Sequence, residues 1–154
     1  MRSVASLLLI AVLLCGCSGE SLDRADSPLP RVSAVKRVGL PLPSSAHDIY
    51  FLESAGGLQD LERYIRFDVD RAELAAAVEA LVAENNKTFA RNLPYSRRYL
   101  SAATLPSPRK EFLPMTWWNP STVAKGYFQG EAASYALEIW VDEDASRIYI
   151  YQND

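Results

Sequence analysis

Residues 61–86 read LERYIRFDVDRAELAAAVEALVAENN, and this stretch decides the fold. Its first part alternates, with Ile65 and Phe67 on one side of an extended chain and Tyr64 and Arg66 on the other. Successive side chains of a β-strand point to opposite faces. The alternation therefore predicts a strand that packs one face on a core.

A helix is predicted directly after this strand. Asp70 suits the N-cap position, and Glu73 follows three residues later, as in a capping box. The alanines that come next favour helix, and the Asn85–Asn86 pair predicts its end. One apolar face recurs at helical spacing and consists of Leu74, Val78, Leu81 and Val82.

Further strands are predicted on both sides of this helix, and one long loop follows it. Residues 87–120 contain five prolines, which argue against a long helix and allow only a short one near residues 96–103. Short β-rich or alternating stretches occur at residues 46–53, 125–130, 135–142 and 148–151, the last two as a hairpin. The predicted fold class is α+β, with an antiparallel sheet of about four to five strands and one main helix packed on a face. The element order is β-β-α-long loop-β-β, in a single globular domain over residues 41–154.

The N-terminus has the pattern of an export signal. Arg2 is followed by an apolar run over residues 4–14, interrupted only by Ser6. As a helix this run would cover about 16 Å, which is too short for about 30 Å of hydrocarbon. The basic start and short apolar run predict a signal peptide over residues 1–16.

The end of this signal resembles the bacterial lipobox, Leu-x-(Gly/Ala)-Cys, in Leu14-Cys15-Gly16-Cys17. The resemblance implies cleavage before Cys17 and attachment of fatty acyl chains such as palmitate to that residue. Because Ser18 follows rather than Asp, the resemblance favours the periplasmic face of the outer membrane. More than one acyl chain makes such attachment stable. The alternative is an ordinary secretory signal with a chance cysteine.

Residues 17–40 are expected to be a flexible tether. They show little apolar periodicity and contain Ser27-Pro28-Leu29-Pro30. Fully extended, they would reach about 75 Å and hold the domain away from the lipid.

Composition excludes several classes of function. The chain has 154 residues, with 16 Lys and Arg against 19 Asp and Glu and a formal net charge of −3, so binding of nucleic acid has no electrostatic support. The two cysteines, Cys15 and Cys17, leave the domain without a free thiol or a disulfide. With one histidine besides, no metal and no cofactor are expected.

No catalytic residue is predicted. His47, the single histidine, has no nucleophile signature nearby, and a surface or capping role is expected. An acid–base pair of the glycosidase type stays open, although nothing in the sequence brings two carboxylates together. Its candidate members are Glu53, Asp68, Glu131 and Glu138.

The residues favoured for binding are aromatic and cationic. Trp117 and Trp118 are adjacent, so in an extended segment one can be buried while the other anchors a partner. Arg66 and Tyr64 share one side of their strand and, with Trp140, could form a patch for a peptide, a glycan or a protein. The alternative is that the helix and the long loop cover both faces of the sheet and make these side chains core.

Four short motifs stand out in the folded part of the chain: Leu42-Pro43-x-x-Ala46, Tyr64-Ile65-Arg66-Phe67, Trp117-Trp118-x-Pro120 and Ile139-Trp140-Val141-Asp142. Together they resemble the pattern of small bacterial envelope lipoproteins. The similarity covers residues 41–154 and implies no activity. We expect a membrane-anchored, non-enzymatic domain that binds an envelope protein, for example as an inhibitor. The alternatives are a structural accessory of an envelope assembly, or a cell-wall polymer hydrolase or glycan-binding accessory that uses a carboxylate pair.

Overall fold

The structure is a computed structural model. It describes residues 21–24, 27–56, 60–88, 96–99, 115–130 and 137–153. Side chains are described for residues 27–54, 61–88, 115–130 and 137–153. The predicted signal peptide, Cys17 and Glu131 lie outside the described residues.

The described strands form one antiparallel sheet, in the order β1-β2-β3-β7-β6-β5-β4. The predicted α+β class, with an antiparallel sheet and one main helix, is confirmed. The five longer strands are the predicted ones, and β1 and β4, of four residues each, extend the sheet at its edges. In chain order the elements are β1 (Ser21–Arg24), α1 (Arg31–Val38), β2 (His47–Gly56), β3 (Asp60–Asp68), α2 (Leu74–Thr88), β4 (Ser96–Tyr99), a 3₁₀ turn (Pro120–Thr122), β5 (Gly126–Gly130), β6 (Leu137–Asp142) and β7 (Arg147–Asn153).

Both helices pack on one face of the sheet. Ile65 and Phe67 of β3 lie on this face, as their alternation predicts, and both are fully buried. Within the described residues, no helix is long and apolar enough to cross a membrane. The buried residues between the two helices and the sheet form a cluster that we call the helix-side core. Its main members are Ala34, Val38, Ile49, Phe51, Ile65, Phe67, Leu74, Val78, Leu81, Leu137, Ile139, Val141, Ile148 and Ile150.

The segment expected to be a tether is partly folded, which corrects that expectation. Residues 21–24 pair with β2 as strand β1, and Leu29 forms a bridge with Ile49. Residues 31–38 form α1, whose Ala34 and Val38 are fully buried in the helix-side core. Their i, i+4 spacing is a short apolar stripe, which gains its stability from packing on β2 rather than from the helix alone.

The start of α2 differs in detail from the predicted capping box. The Glu73 carboxylate accepts hydrogen bonds from Ser45 Oγ at 2.8 Å and from Ser44 Oγ at 3.2 Å, both in a distant segment. The Asp70 amide donates to Ser45 Oγ at 3.1 Å. Ser45 therefore binds both the Asp70 amide and the Glu73 carboxylate, two groups that would bind each other in a local capping box.

The expectation that a short helix can form near residues 96–103 is wrong for the first half of that segment. Residues 96–99 form strand β4, which pairs with β5 in antiparallel register. The pairing is a tertiary contact with residues 127–130, and such contacts routinely override local helix preference.

Candidate functional site

The aromatic residues predicted to bind a partner form a second core on the other face of the sheet. The exposed fractions of Tyr64, Trp117, Trp118 and Trp140 are only 3%, 5%, 2% and 1%. The prediction of an exposed patch is therefore wrong for these four residues, because the segment that carries the two adjacent tryptophans folds over the sheet. We call this cluster the aromatic-side core: Leu52, Tyr64, Trp117, Trp118, Val123, Phe128, Trp140 and Tyr149, with Tyr50, Met115 and Tyr151 packed against it.

Trp118 is the centre of this cluster. Its ring makes edge contacts with the rings of Tyr64, Tyr149 and Trp140 at centroid distances of 5.2, 5.6 and 5.9 Å. Edge-to-face geometry sets the positive ring edge against the negative ring face. Among the described residues, the indole nitrogens of all three tryptophans have no hydrogen-bond partner. The cluster is held by buried area and ring contacts, which is the arrangement of a core.

Arg66 of β3 binds the segment that contains Trp117 and Trp118 and covers this face of the sheet. Its side chain is 13% exposed, and one guanidinium nitrogen donates to the carbonyl of Trp117 at 3.4 Å. The guanidinium also lies over the ring of Tyr50, with Cζ 4.7 Å from the centroid. Arg66 is thus engaged in structural contacts and is not a free binding cation.

The three carboxylates considered for hydrolysis that lie in the described part of the chain are not brought together. Glu53 is paired with Arg63 at 2.9 Å and, by the alternation of β2, lies on the helix side of the sheet. Asp68 and Glu138 lie on the aromatic side, in rows that meet β7 at Arg147 and Tyr151. These rows are about 13 Å apart along the strand, beyond the separation of a glycosidase pair, which is about 5–10 Å.

A different group of polar side chains converges at one end of the sheet. His47 pairs with Asp68 in the register of β2 and β3, and Asp68 pairs with Arg147 in the register of β3 and β7. One ligand atom each from His47, Asp48 and Asp68 lie within 4.8 Å of one another. We call His47, Asp48, Asp68 and Arg147 the polar corner, and His47 and Asp48 are its exposed members.

The backbone at the polar corner is irregular. Asp48 has a φ of 48°, and the register of β2 shifts between His47 and Tyr50, as at a β-bulge. The β6–β7 turn at the same end contains Ser146, with a φ of 53°, whose carbonyl accepts from the amide of Val69. These are the non-glycine residues of positive φ in the described chain. Bulges and left-handed residues re-aim side chains and concentrate at functional sites.

The Asp68–Arg147 pair makes the polar corner rigid. Arg147 donates from Nε to Asp68 Oδ1 at 2.6 Å and from a terminal nitrogen to Asp68 Oδ2 at 2.8 Å. The hydrogen bonds that Arg147 donates to Asp68 raise the pKa of Arg147 well above its usual range. A bidentate pair of this kind fixes the geometry of both groups.

The chemistry that remains available lies on His47 and Asp48. The His47 ring accordingly donates from Nδ1 to the carbonyl of Ser45 at 2.9 Å, because a carbonyl can only accept. In the neutral ring Nε2 is then the acceptor. The three potential ligands His47, Asp48 and Asp68 could surround a cation, but the guanidinium that already holds both Asp68 oxygens opposes a second positive charge there.

Sequence reasoning singled out His47 and Asp68 separately and missed the site that they form with Asp48 and Arg147. His47 is a surface residue, as expected. The signal that could have found the site is the pairing of β3 with β7, which joins residues 79 positions apart. Comparison of the chain with protein-family models, curated proteins and solved structures finds no match.

Proposed function

We propose that this protein is a lipid-anchored lipoprotein of the bacterial envelope, whose domain binds a basic surface of an envelope protein through the polar corner without catalysing a reaction. The observation that carries the proposal is the exposed Asp48 carboxylate, held on a bulged strand beside a bidentate ion pair. A preorganised side chain binds with a smaller loss of conformational entropy than a free one.

The charge around the polar corner supports a basic partner. The β6–β7 turn at this end contributes Asp142, Glu143 and Asp144, and the last two are half-buried and exposed, respectively. Lys125 pairs with Asp144 at 3.6 Å, with both side chains more than half exposed. Acidic side chains outnumber basic ones, and electrostatic complementarity guides association with a partner of opposite charge.

The anchor supports the same function by concentrating the domain at the envelope. The lipobox-like sequence that ends at Cys17 motivates this part of the proposal. Intact mass of the purified protein tests it: an acylated N-terminal Cys17 is the expected form. A mature chain with an unmodified mass would overturn the anchor.

Photo-crosslinking in cells tests the binding surface. A photoreactive amino acid at Ala145, exposed in the β6–β7 turn, is expected to give one discrete protein adduct. The matched control is Ala76, an exposed alanine of α2 on the helix side, where no adduct is expected. Adducts at Ala76 and not at Ala145 would overturn the assignment of the surface.

Asp48→Asn separates charge from folding. Asparagine tolerates a positive φ, so the bulge is kept while the carboxylate is lost. The yield of the Ala145 adduct is expected to fall about fivefold, since an ion pair at an interface rim contributes about 1 kcal/mol. An unchanged yield would show that Asp48 does not contact the partner.

A further inference from the structure

The outward face of α1 is apolar and exposed. Val32 and Val35 are 74% and 51% exposed, and they are the exposed large hydrophobic residues among the described side chains. They stand three residues apart, so they are neighbours on the surface of the helix. Ala34 and Val38 of the same helix are buried in the helix-side core.

This face is held rigidly. Arg31 donates from its two terminal nitrogens to the carbonyls of Ala46 and Leu42, both at 3.3 Å. The guanidinium of Arg37 lies over the ring of Phe51, with Cζ 5.2 Å from the centroid. Gly39 ends the helix with a φ of 66°. The two valines are therefore presented by a helix packed on β2, not by a loose segment.

The segment that carries the valines is basic in a chain of net negative charge, and Glu73, from the start of α2, is the acidic group near Arg31. Residues 27–47 contain Arg31, Lys36 and Arg37 and no Asp or Glu, whereas the whole chain has a formal net charge of −3. Apolar side chains flanked by basic ones are typical of a helix that lies in the interface of an anionic membrane.

The position of β1 keeps this face close to the lipid anchor. Ser21 pairs with Ala55 in the sheet, and only three residues separate it from Cys17. A link of this length reaches at most about 14 Å when fully extended, instead of the long reach of an unfolded tether. β1 and α1 both contact β2: Ser21 pairs with Ala55, and Arg37 at the end of α1 lies over the ring of Phe51, four residues or about 13 Å away along the strand.

We propose that the outward face of α1, formed by Val32, Val35 and Lys36, docks on the anionic membrane that holds Cys17. This inference rests on the proposed lipid anchor and adds a second, reversible contact that orients the domain. A second copy of the chain and a protein partner are the other possible occupants of this face, and the experiment below distinguishes them.

The test uses the mature protein from cells, whose intact mass is measured first, in vesicles of phosphatidylethanolamine with phosphatidylglycerol as the anionic lipid. Val35→Cys provides a labelling site for an environment-sensitive fluorophore, since acylation blocks Cys17. Ala76→Cys, on the exposed side of α2, is the matched control. At residue 35 we expect a blue shift and strong quenching by nitroxide-labelled lipid, and at residue 76 we expect neither.

The outcomes separate failure of docking from failure of the anchor. Vesicle-bound protein without quenching at residue 35 would overturn docking and leave the anchor intact. A blue shift at residue 35 that nitroxide lipid does not quench would assign the face to a second copy or a protein. Protein that does not associate with vesicles and has an unmodified mass would overturn the anchor itself, and docking with it.

Two variants sharpen the result. Lys36→Gln is expected to shift the docking equilibrium about fivefold toward the undocked state, because one lysine near an anionic surface contributes about 1 kcal/mol. Phosphatidylcholine vesicles should reproduce that loss with the unchanged chain. A Gly/Ser insertion between Glu20 and Ser21 should lower quenching at residue 35, and equal quenching with and without it would contradict the role of the short link.

Discussion

At the scale of single residues, Glu73 joins two elements that are distant in sequence. Its carboxylate accepts hydrogen bonds from the hydroxyl and the amide of Ser45, at 2.8 and 3.4 Å, and from the hydroxyl of Ser44. These residues precede β2, and Glu73 precedes α2. The hydrogen bonds from Ser45 lower the pKa of Glu73 below its usual value of 4.5 and outweigh desolvation, which raises it. The hydrogen bond from Ser44 and the charge of Arg31 lower this pKa to a smaller extent.

The lowered pKa predicts how stability responds to acid. A carboxyl whose pKa is lower in the folded state stabilises the fold above its unfolded pKa, and this contribution is lost as the pH falls through the folded pKa. The free energy of unfolding of the unchanged chain should therefore exceed that of Glu73→Gln at neutral pH, and the difference should shrink below pH 4.5. Urea unfolding of both chains at neutral and acidic pH measures the difference.

Glu79→Gln, at an exposed position of α2, is the control for the effect of losing one negative charge. A difference between the unchanged chain and Glu73→Gln that stays constant down to acidic pH would contradict the role of the ionised carboxylate. It would leave a pH-independent effect of the new amide group as the cause of the difference.

At the scale of elements, α1 shows how a short segment becomes structural. Eight residues are too few for a stable isolated helix. Its stability comes from Ala34 and Val38, which reach the helix-side core, and from Arg31 and Arg37, whose side chains bind the neighbouring backbone and ring.

Ala34→Glu tests this account of α1. The new carboxylate would enter the helix-side core without a partner, so the free energy of unfolding should fall by about 3 kcal/mol. Ser33→Glu adds the same charge at an exposed position of the same helix and should change stability little. Urea unfolding compares the two, and equal stabilities would mean that α1 does not pack on the sheet.

At the scale of the whole molecule, one sheet serves two cores. Neighbouring residues of β3, such as Tyr64 and Ile65, contribute to opposite cores, and both are almost fully buried. The three tryptophans lie in the aromatic-side core, while both helices pack on the helix-side core. Loss of one core would therefore expose the sheet that supports the other.

This sharing predicts a single cooperative unfolding transition. Tryptophan fluorescence reports the aromatic-side core, and the far-ultraviolet circular dichroism of the helices reports the other. Both signals should give the same urea midpoint, as in a two-state transition. A fluorescence midpoint at lower urea would show that the segment carrying Trp117 and Trp118 detaches while the helix side stays folded.

The sequence by itself determined α2, the five longer strands and, where those strands alternate, which side chains share a face. The alternation in 61–69 and in the 137–151 hairpin predicted which side chains share a face, because the side-chain period of a strand is two. The spacing of Leu74, Val78 and Leu81 predicted α2 and its buried side, because residues three and four positions apart lie on the same face of a helix.

Only the tertiary structure decided what lies against each face and which polar groups meet. Arg66 contacts Trp117 across 51 residues, and Arg147 contacts Asp68 across 79. Whether an aromatic row is surface or core depends on whether a distant segment folds over it, and the local pattern is the same in both cases. The burial of Trp117 and Trp118, the packing of α1 and the polar corner with Asp48 all depend on such long-range contacts, which no local periodicity records.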